Sequence, residues 1–227
     1  MNKLSTGQIV AKVVRDIPAG SYVNLGIGMP VLALEHWTTE DDVIIHSENG
    51  ILGMRQLDPG EEQLGNLTNA AKLPVGITAG AAFFHHADSF AMMRGGHIDY
   101  SILGAYEVSS QGDIANWSLD QEGVAPAVGG AMDLVVGARN VYVVMEHTTK
   151  QGRSRLVEHC SLPLTGAGAV SRVYTDLATL EVSPSGFSVI ELTAGVTRGY
   201  LESVTAAPLD FSKIEVSEVA MEWKVLK

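Results

Sequence analysis

Tyr22-Val23-Asn24-Leu25, then Gly26-Ile27-Gly28-Met29-Pro30, then Val31-Leu32-Ala33-Leu34-Glu35-His36-Trp37 is the stretch that decides the fold class. A short run suited to extended backbone meets a glycine turn, and an apolar helical pattern opens with a proline suited to the first helical turn. Strand, glycine turn and helix in that order are the unit of a parallel sheet. Upstream, Ser5 and Gln8 form a Ser-x-x-Gln capping box, and Ile9, Val10, Val13, Val14 and Ile17 follow at helical spacing until Pro18-Ala19-Gly20. This predicts a first helix from Thr6 to Asp16. Downstream, Val43-Ile44-Ile45-His46 is too continuously apolar for a sheet with one wet face, and it runs straight into Ser47-Glu48-Asn49-Gly50.

The same grammar recurs further along. Ile98 to Leu103 leads to Gly104, Gly129-Gly130 opens a short helical pattern ending at Gly137, and Asn140 to Met145 is a strand leading to Glu146-His147. Such alternation predicts a three-layer α/β/α architecture with a largely parallel open sheet, covered on both faces. From Leu177 the texture changes. Leu180-Glu181-Val182 and Phe187-Ser188-Val189-Ile190, separated by the turn Ser183-Pro184-Ser185-Gly186, predict a C-terminal β-hairpin. The last stretch, Lys213 to Lys227, reads as a docking tail or a frayed end.

Composition narrows the class further. A chain of 227 residues, 46% apolar, can bury one large core without disulfides or metals, so a single domain over residues 1–227 is expected. Cys160 is the lone cysteine, which favours a reducing compartment, and the cytoplasm is the expected location. The N-terminus has no apolar signal region, and no run approaches the ~20 apolar residues that span a bilayer. A net charge of −11 opposes phosphate neutralisation, so nucleic acid is not an expected partner.

Open α/β sheets bind ligands beyond the C-terminal ends of their strands, where glycine turns and helix N-termini present N–H groups to an anion. The turns at Gly26 to Pro30 and Gly129-Gly130 both fall there. The first is not a dinucleotide fingerprint, because the third glycine position holds Val31. Glu48 is expected on the same rim. A carboxylate held against backbone amides stays ionised and can attack an acyl carbon while spare N–H groups stabilise the oxyanion. His85-His86-Ala87-Asp88 lacks a His-x-x-x-His partner and is expected to line a pocket rather than bind metal. Cys160, within Leu156-Val157-Glu158-His159-Cys160-Ser161-Leu162, reads as a small buried apolar residue rather than a nucleophile. No serine-hydrolase, P-loop or Cys-x-x-Cys motif is present. The residues by themselves thus describe an α/β acyl or anion site.

Five motifs occur in order between Leu4 and Leu192: Asn24-Leu25-Gly26-Ile27-Gly28-Met29-Pro30, Ser47-Glu48-Asn49-Gly50, Met93-Arg94-Gly95-Gly96-His97, Gly112-Asp113-Ile114-Ala115-Asn116-Trp117 and Gly129-Gly130-Ala131-Met132-Asp133-Leu134. Together they resemble the B chain of 3-oxoacid coenzyme A transferases. Phe84-His85-His86-Ala87-Asp88-Ser89-Phe90, and Leu164-Thr165-Gly166 through Val173-Tyr174-Thr175-Asp176-Leu177, look most like the 3-oxoadipate members. The resemblance implies that Glu48 is the nucleophile of a ping-pong exchange between succinyl-CoA and a 3-oxoacid, passing through a glutamyl-CoA thioester. It implies backbone groups of Ile27 and Gly28 at the oxyanion, Gly130 and Lys72 near the CoA thioester, and Asn49, His85 and His86 in the acid pocket. It also implies a separate A (alpha) subunit, an A2B2 heterotetramer, and no cofactor other than the CoA thioester substrate.

Two departures from the family pattern are Asn69-Ala70-Ala71-Lys72, where relatives have Asn-Ala-Gly-Lys, and Gly53-Met54-Arg55-Gln56, where they have Gly-x-Gly-Pro. Arg55 is expected to reshape the acid pocket. CoA is polyanionic, so basic residues of the A subunit or a local patch are expected to receive its phosphates. Three rival readings remain at this level: an acetoacetate transferase of the same mechanism, a thioester hydrolase using Glu48 as base, and a ligand-sensing module without turnover.

Overall fold

Ser5 caps the first helix as its sequence dictates. Its hydroxyl accepts from the Gln8 N–H, and its own N–H donates to Gln8 Oε1 at 2.8 Å, starting α1 (Thr6–Arg15) with Ile9, Val10 and Val13 buried. The computed structural model describes residues 3–120, 123 and 127–214. The expected tail from Lys213 therefore lies almost entirely outside the described residues.

β1 (Tyr22–Leu25) feeds the glycine turn, and a 3₁₀ helix follows over Met29–Glu35. Gly28, at φ 92°, turns the chain through a conformation that disfavours side chains. β2 (Ile44–Ser47), β3 (Ile51–Arg55) and β4 (Gly76–Phe83) come next, then α2 (His86–Arg94) and β5 (Tyr100–Leu103). After β6 (Glu107–Ser109) and β7 (Ile114–Ala115), Gly130 caps α3 (Ala131–Gly137), which leads to β8 (Asn140–Val144). The remainder is β9 (Leu156–Val157), β10 (Val170–Tyr174), β11 (Ala178–Ser183), β12 (Gly186–Leu192), α4 (Arg198–Ser203) and β13 (Leu209–Asp210).

The main sheet has ten strands in the order β13-β12-β11-β10-β8-β5-β1-β2-β3-β4, and β7-β6-β9 form a separate small sheet. Its centre, β10-β8-β5-β1-β2, is wholly parallel. Antiparallel strands extend it on both sides: β3 and β4 beyond β2, and the hairpin β11-β12 beyond β10. That hairpin stands where its turn residues predict it, whereas β3 and β4 extend the other edge without a crossover helix. Chain order reverses around β1, whose two neighbours are β2 and β5, placing a topological switch point there.

Alternation along β8 shows why both faces are apolar. Tyr142 and Val144 join the core cluster under α1 and the 3₁₀ helix, while Val141 and Val143 join the opposite cluster with Met93 of α2 and Leu134 and Val135 of α3. Successive side chains point to opposite faces, so a strand covered on both must be apolar throughout. That is the three-layer arrangement expected from the alternation of elements.

Candidate active site

A cavity of about 560 Å³ opens at the switch point. Its walls come from the C-terminal ends of three parallel strands and the residues after them: Leu25-Gly26-Ile27 at β1, Leu103 to Tyr106 at β5, and Val144-Met145-Glu146 at β8. Gly129 to Ala131 close it at the N-terminus of α3, and Glu48 enters it from the end of β2.

The placement of Glu48 follows from a tight reversal. Ser47 pairs with Ile51 across β2 and β3, leaving Glu48, Asn49 and Gly50 as a three-residue hairpin loop closed by the Gly50 N–H donating to the Ser47 carbonyl at 3.0 Å. Gly50 has φ 104°, and a Cβ there would overlap the Phe84 carbonyl. A side chain at position 50 is excluded twice over, which explains the glycine after Asn49.

Glu48 is half-buried. Its carboxylate lies against the backbone of Gly130, where a Cβ would overlap Glu48 Oε2. Burial raises its pKa above the ordinary carboxylate value, with nearby His86 opposing and Asp133 adding to the shift. The expectation of a carboxylate held against backbone amides is corrected here: among the described residues the Glu48 side chain makes neither a hydrogen bond nor an ion pair. It abuts a Cα instead, and so keeps its lone pairs free. The N–H groups of Ile27 and Gly28 likewise take no hydrogen bond within the described residues. The Ile27 side chain is 72% exposed beside the cavity, and Gly28 itself is not part of the wall.

The other expected residues scatter. Asn49 Nδ2 donates to the Thr68 carbonyl at 2.8 Å, and Ser47 Oγ accepts from the Ala70 N–H at 3.0 Å, so together they tie the 68–73 loop to the Glu48 turn. Ala70 lines the cavity, whereas Lys72 stands at φ 62° outside the wall. His85 is the N-cap of α2, its Nδ1 accepting from the Ala87 N–H at 3.1 Å, and His86 packs on Phe90 at 4.7 Å. Asn49, His85 and His86, expected in the acid pocket, are not among the residues that wall this cavity and are engaged by backbone and aromatic neighbours. Of the three, only His86 acts electrostatically on Glu48. Arg55, expected to reshape the pocket, is not part of the cavity wall and forks onto Glu61 at 2.7 and 2.8 Å. Cys160 is half-buried, and burial pushes its thiol up to about 12, so it carries little thiolate. No cluster of three metal-ligating side chains occurs among the described residues.

Two features escaped the sequence reading. Beneath the site, Asn24 Nδ2 donates to His46 Nδ1 at 2.9 Å, and His46 Nε2 meets Ser89 Oγ at 2.9 Å, all three side chains being buried. Burial lowers the His46 pKa to about 4, so the ring is neutral; with Nδ1 accepting, Nε2 carries the proton and donates to Ser89. The signal was available in two polar residues at inward positions of otherwise apolar strands. The second feature is Arg155, the one cation lining the cavity among the described residues.

A coenzyme A transferase family model matches residues 8–198. The chain belongs to the coenzyme A transferase family. It is 52% identical over 208 residues to the B chain of the 3-oxoadipate CoA-transferase of Pseudomonas putida, covering 91% of this chain and 97% of that one. It is 43% identical to the B chain of the succinyl-CoA:3-ketoacid coenzyme A transferase of Helicobacter pylori over 202 residues, 89% of this chain and 97% of the relative. Among solved structures, an apo acyl-CoA transferase of Escherichia coli O157:H7 superposes with a TM-score of 0.71 at 16% identity, covering 93% of this chain and 42% of that one. The decarboxylase AibA/AibB superposes at 0.63 and 20% identity, covering 92% and 86% respectively. Both structural likenesses bear on the fold, and both agree with the open, largely parallel sheet described above. No helix among the described residues is long and apolar enough to cross a membrane.

Proposed function

We propose that this CoA-transferase chain is the nucleophile-bearing B chain of a succinyl-CoA:3-oxoadipate CoA-transferase, acting in the cytoplasm as one domain with an A subunit in an A2B2 assembly. The observation that carries the reading is Glu48, half-buried, without a hydrogen-bond donor among the described residues, in the cavity at the switch point that Ile27 also lines. A carboxylate shielded from water and free of donors is more nucleophilic than a solvated one, and fixed N–H groups stabilise the oxyanion that its attack creates.

In the cycle, a Glu48 oxygen attacks the succinyl carbonyl and the CoA thiolate departs, leaving a mixed anhydride. The thiolate then attacks the glutamyl carbonyl, the anhydride C–O bond breaks, and succinate leaves a glutamyl-CoA thioester on Glu48. The 3-oxoadipate carboxylate attacks that thioester and expels the thiolate, which recaptures the new acyl group and restores the Glu48 carboxylate. Each step exchanges one acyl bond for another. Gly130 supports this assignment because the thioester must form where only a Cα abuts the carboxylate. The 3-oxoadipate substrate and the A subunit rest on the names of the Pseudomonas putida and Acinetobacter baylyi relatives. Acetoacetate as acceptor is the second reading, favoured by the Helicobacter pylori relative.

The test is peptide mass spectrometry of the two-chain complex after succinyl-CoA treatment and borohydride reduction. A CoA adduct or reduced side chain at Glu48 is expected, followed by turnover with 3-oxoadipate above that with acetoacetate. An unmodified Glu48 in a complex that binds succinyl-CoA would overturn the nucleophile, and net hydrolysis without an acceptor would move the assignment to a thioesterase.

A further inference from the structure

Arg155 is out of keeping with the other charges of the molecule. Arg15, Arg55, Arg94, Arg139 and Arg172 each hold a carboxylate within 4 Å, and Arg153 and Arg198 are exposed. Arg155 is partly buried, pairs with no carboxylate among the described residues, and bonds only the Ala105 carbonyl, from Nη1 at 3.2 Å. Its Nε is sealed from solvent with no acceptor. Its place is fixed by the backbone, which donates to the His147 carbonyl and accepts from the Val108 N–H. Glu146 lines the same cavity, but at an exposed position, and comes no closer than the ion-pair limit. A guanidinium partly withdrawn from water, with no counterion among the described residues, is costly unless an anion arrives to complete it.

Glu48 and Arg155 line one cavity. If Glu48 receives the reacting carbonyl, as proposed above, the far end of a succinyl group carries a second carboxylate that must enter the same space. A charge entering a half-buried cavity needs a partner there, and Arg155 is the one cation that the described wall provides. CoA phosphates are a poorer fit, since several charges on a mobile chain call for several cations near solvent. We infer that Arg155 is the subsite for the free carboxylate of a dicarboxylic acyl group, and that it selects dicarboxylic over monocarboxylic acids of similar length. This inference rests on the reading of Glu48 as the acyl acceptor.

The measurement is calorimetric binding of succinate and of butyrate to the two-chain complex, wild type and R155Q, with R155K as the conservative variant and thermal unfolding as the check on folding. Succinate is expected to bind more tightly than butyrate. R155Q should weaken succinate by about 10–100-fold, leave butyrate within about twofold, and be partly rescued by R155K. Equal affinities for the two acids in the wild type, or equal losses for both in R155Q, would overturn the subsite. Adduct formation at Glu48 is scored separately: a wild-type complex that forms none refutes the acyl-acceptor reading, while the two affinities still decide the carboxylate subsite.

Discussion

Arg172 and Arg155 are arginines in one chain with opposite surroundings. Arg172, on β10, donates to Asp16 at 3.1 Å and Glu181 at 2.9 Å and lies over the Tyr142 ring at 5.4 Å. The Asp16 carboxylate is also held by the Tyr174 hydroxyl, and Lys213 pairs with Glu181, whose pKa it lowers. Where the sheet passes into its antiparallel hairpin, charges satisfy one another. At the C-terminal rim of the parallel strands they do not: among the described residues Arg155 has no counterion and Glu48 has no donor. The difference separates what holds the fold together from what is reserved for a ligand.

Four tests put this contrast at risk, in falling order of effect. E48Q should lower turnover by about 10⁴-fold or more, measured as CoA transfer by the two-chain complex, with no loss of stability in urea unfolding. Because burial raises the Glu48 pKa, ionised Glu48 costs the fold stability as pH rises past the ordinary carboxylate range, so E48Q should be at least as stable as wild type at pH 7. Clear destabilisation by E48Q would mean that Glu48 belongs with the structural charges. G130A should cost about 10²–10³-fold in kcat/KM, because its Cβ displaces the carboxylate from its attack position. Unchanged kinetics would show that the contact with Gly130 is dispensable.

The third test uses acid. Burial depresses both His46, under the site, and His147, hydrogen-bonded to Thr175 and Thr205, to about 4. Each is neutral when folded, so its stabilising effect is present above the ordinary value of 6.5 and is lost as pH falls towards 4. Urea unfolding between pH 7.5 and 4.5 should therefore lose about 2–3 kcal/mol per histidine. H147Q should remove its share of that slope and keep transfer activity, whereas H46Q should remove its share and lower activity too. Equal activity losses in the two variants would erase the distinction between the regions. Smallest of the four, R172M should destabilise by about 1–3 kcal/mol and leave kcat/KM of the folded complex within about twofold.

How far the sequence could be read depends on how local the signal is. The capping box at Ser5 and Gln8, the strand at Tyr22 to Leu25 and the hairpin turn at Ser183 to Gly186 each depend on neighbours within a few positions, and all stand where they were expected. Glu48 stood out because a carboxylate at the end of an apolar run is a local anomaly. Arg155 follows an unremarkable polar loop, and its isolation is visible only when the wall from Gly104 to Tyr106 is in place beside it. His85 and His86 show the converse: they are adjacent in the sequence, yet consecutive residues at a helix start point in different directions, one capping and one packing.

By itself, the sequence determined the α/β class, the buried parallel strands, the glycine turns and the placing of a carboxylate at a strand end, because periodicity and turn chemistry act over short stretches of chain. The tertiary structure alone decided that β3 and β4 return antiparallel, that Glu48 rests on Gly130 without a donor, and that Arg155 shares its cavity without a counterion. These depend on residues as far as 107 positions apart along the chain (155 − 48), and whether a charge is paired or left open is a property of the space that such distant segments enclose.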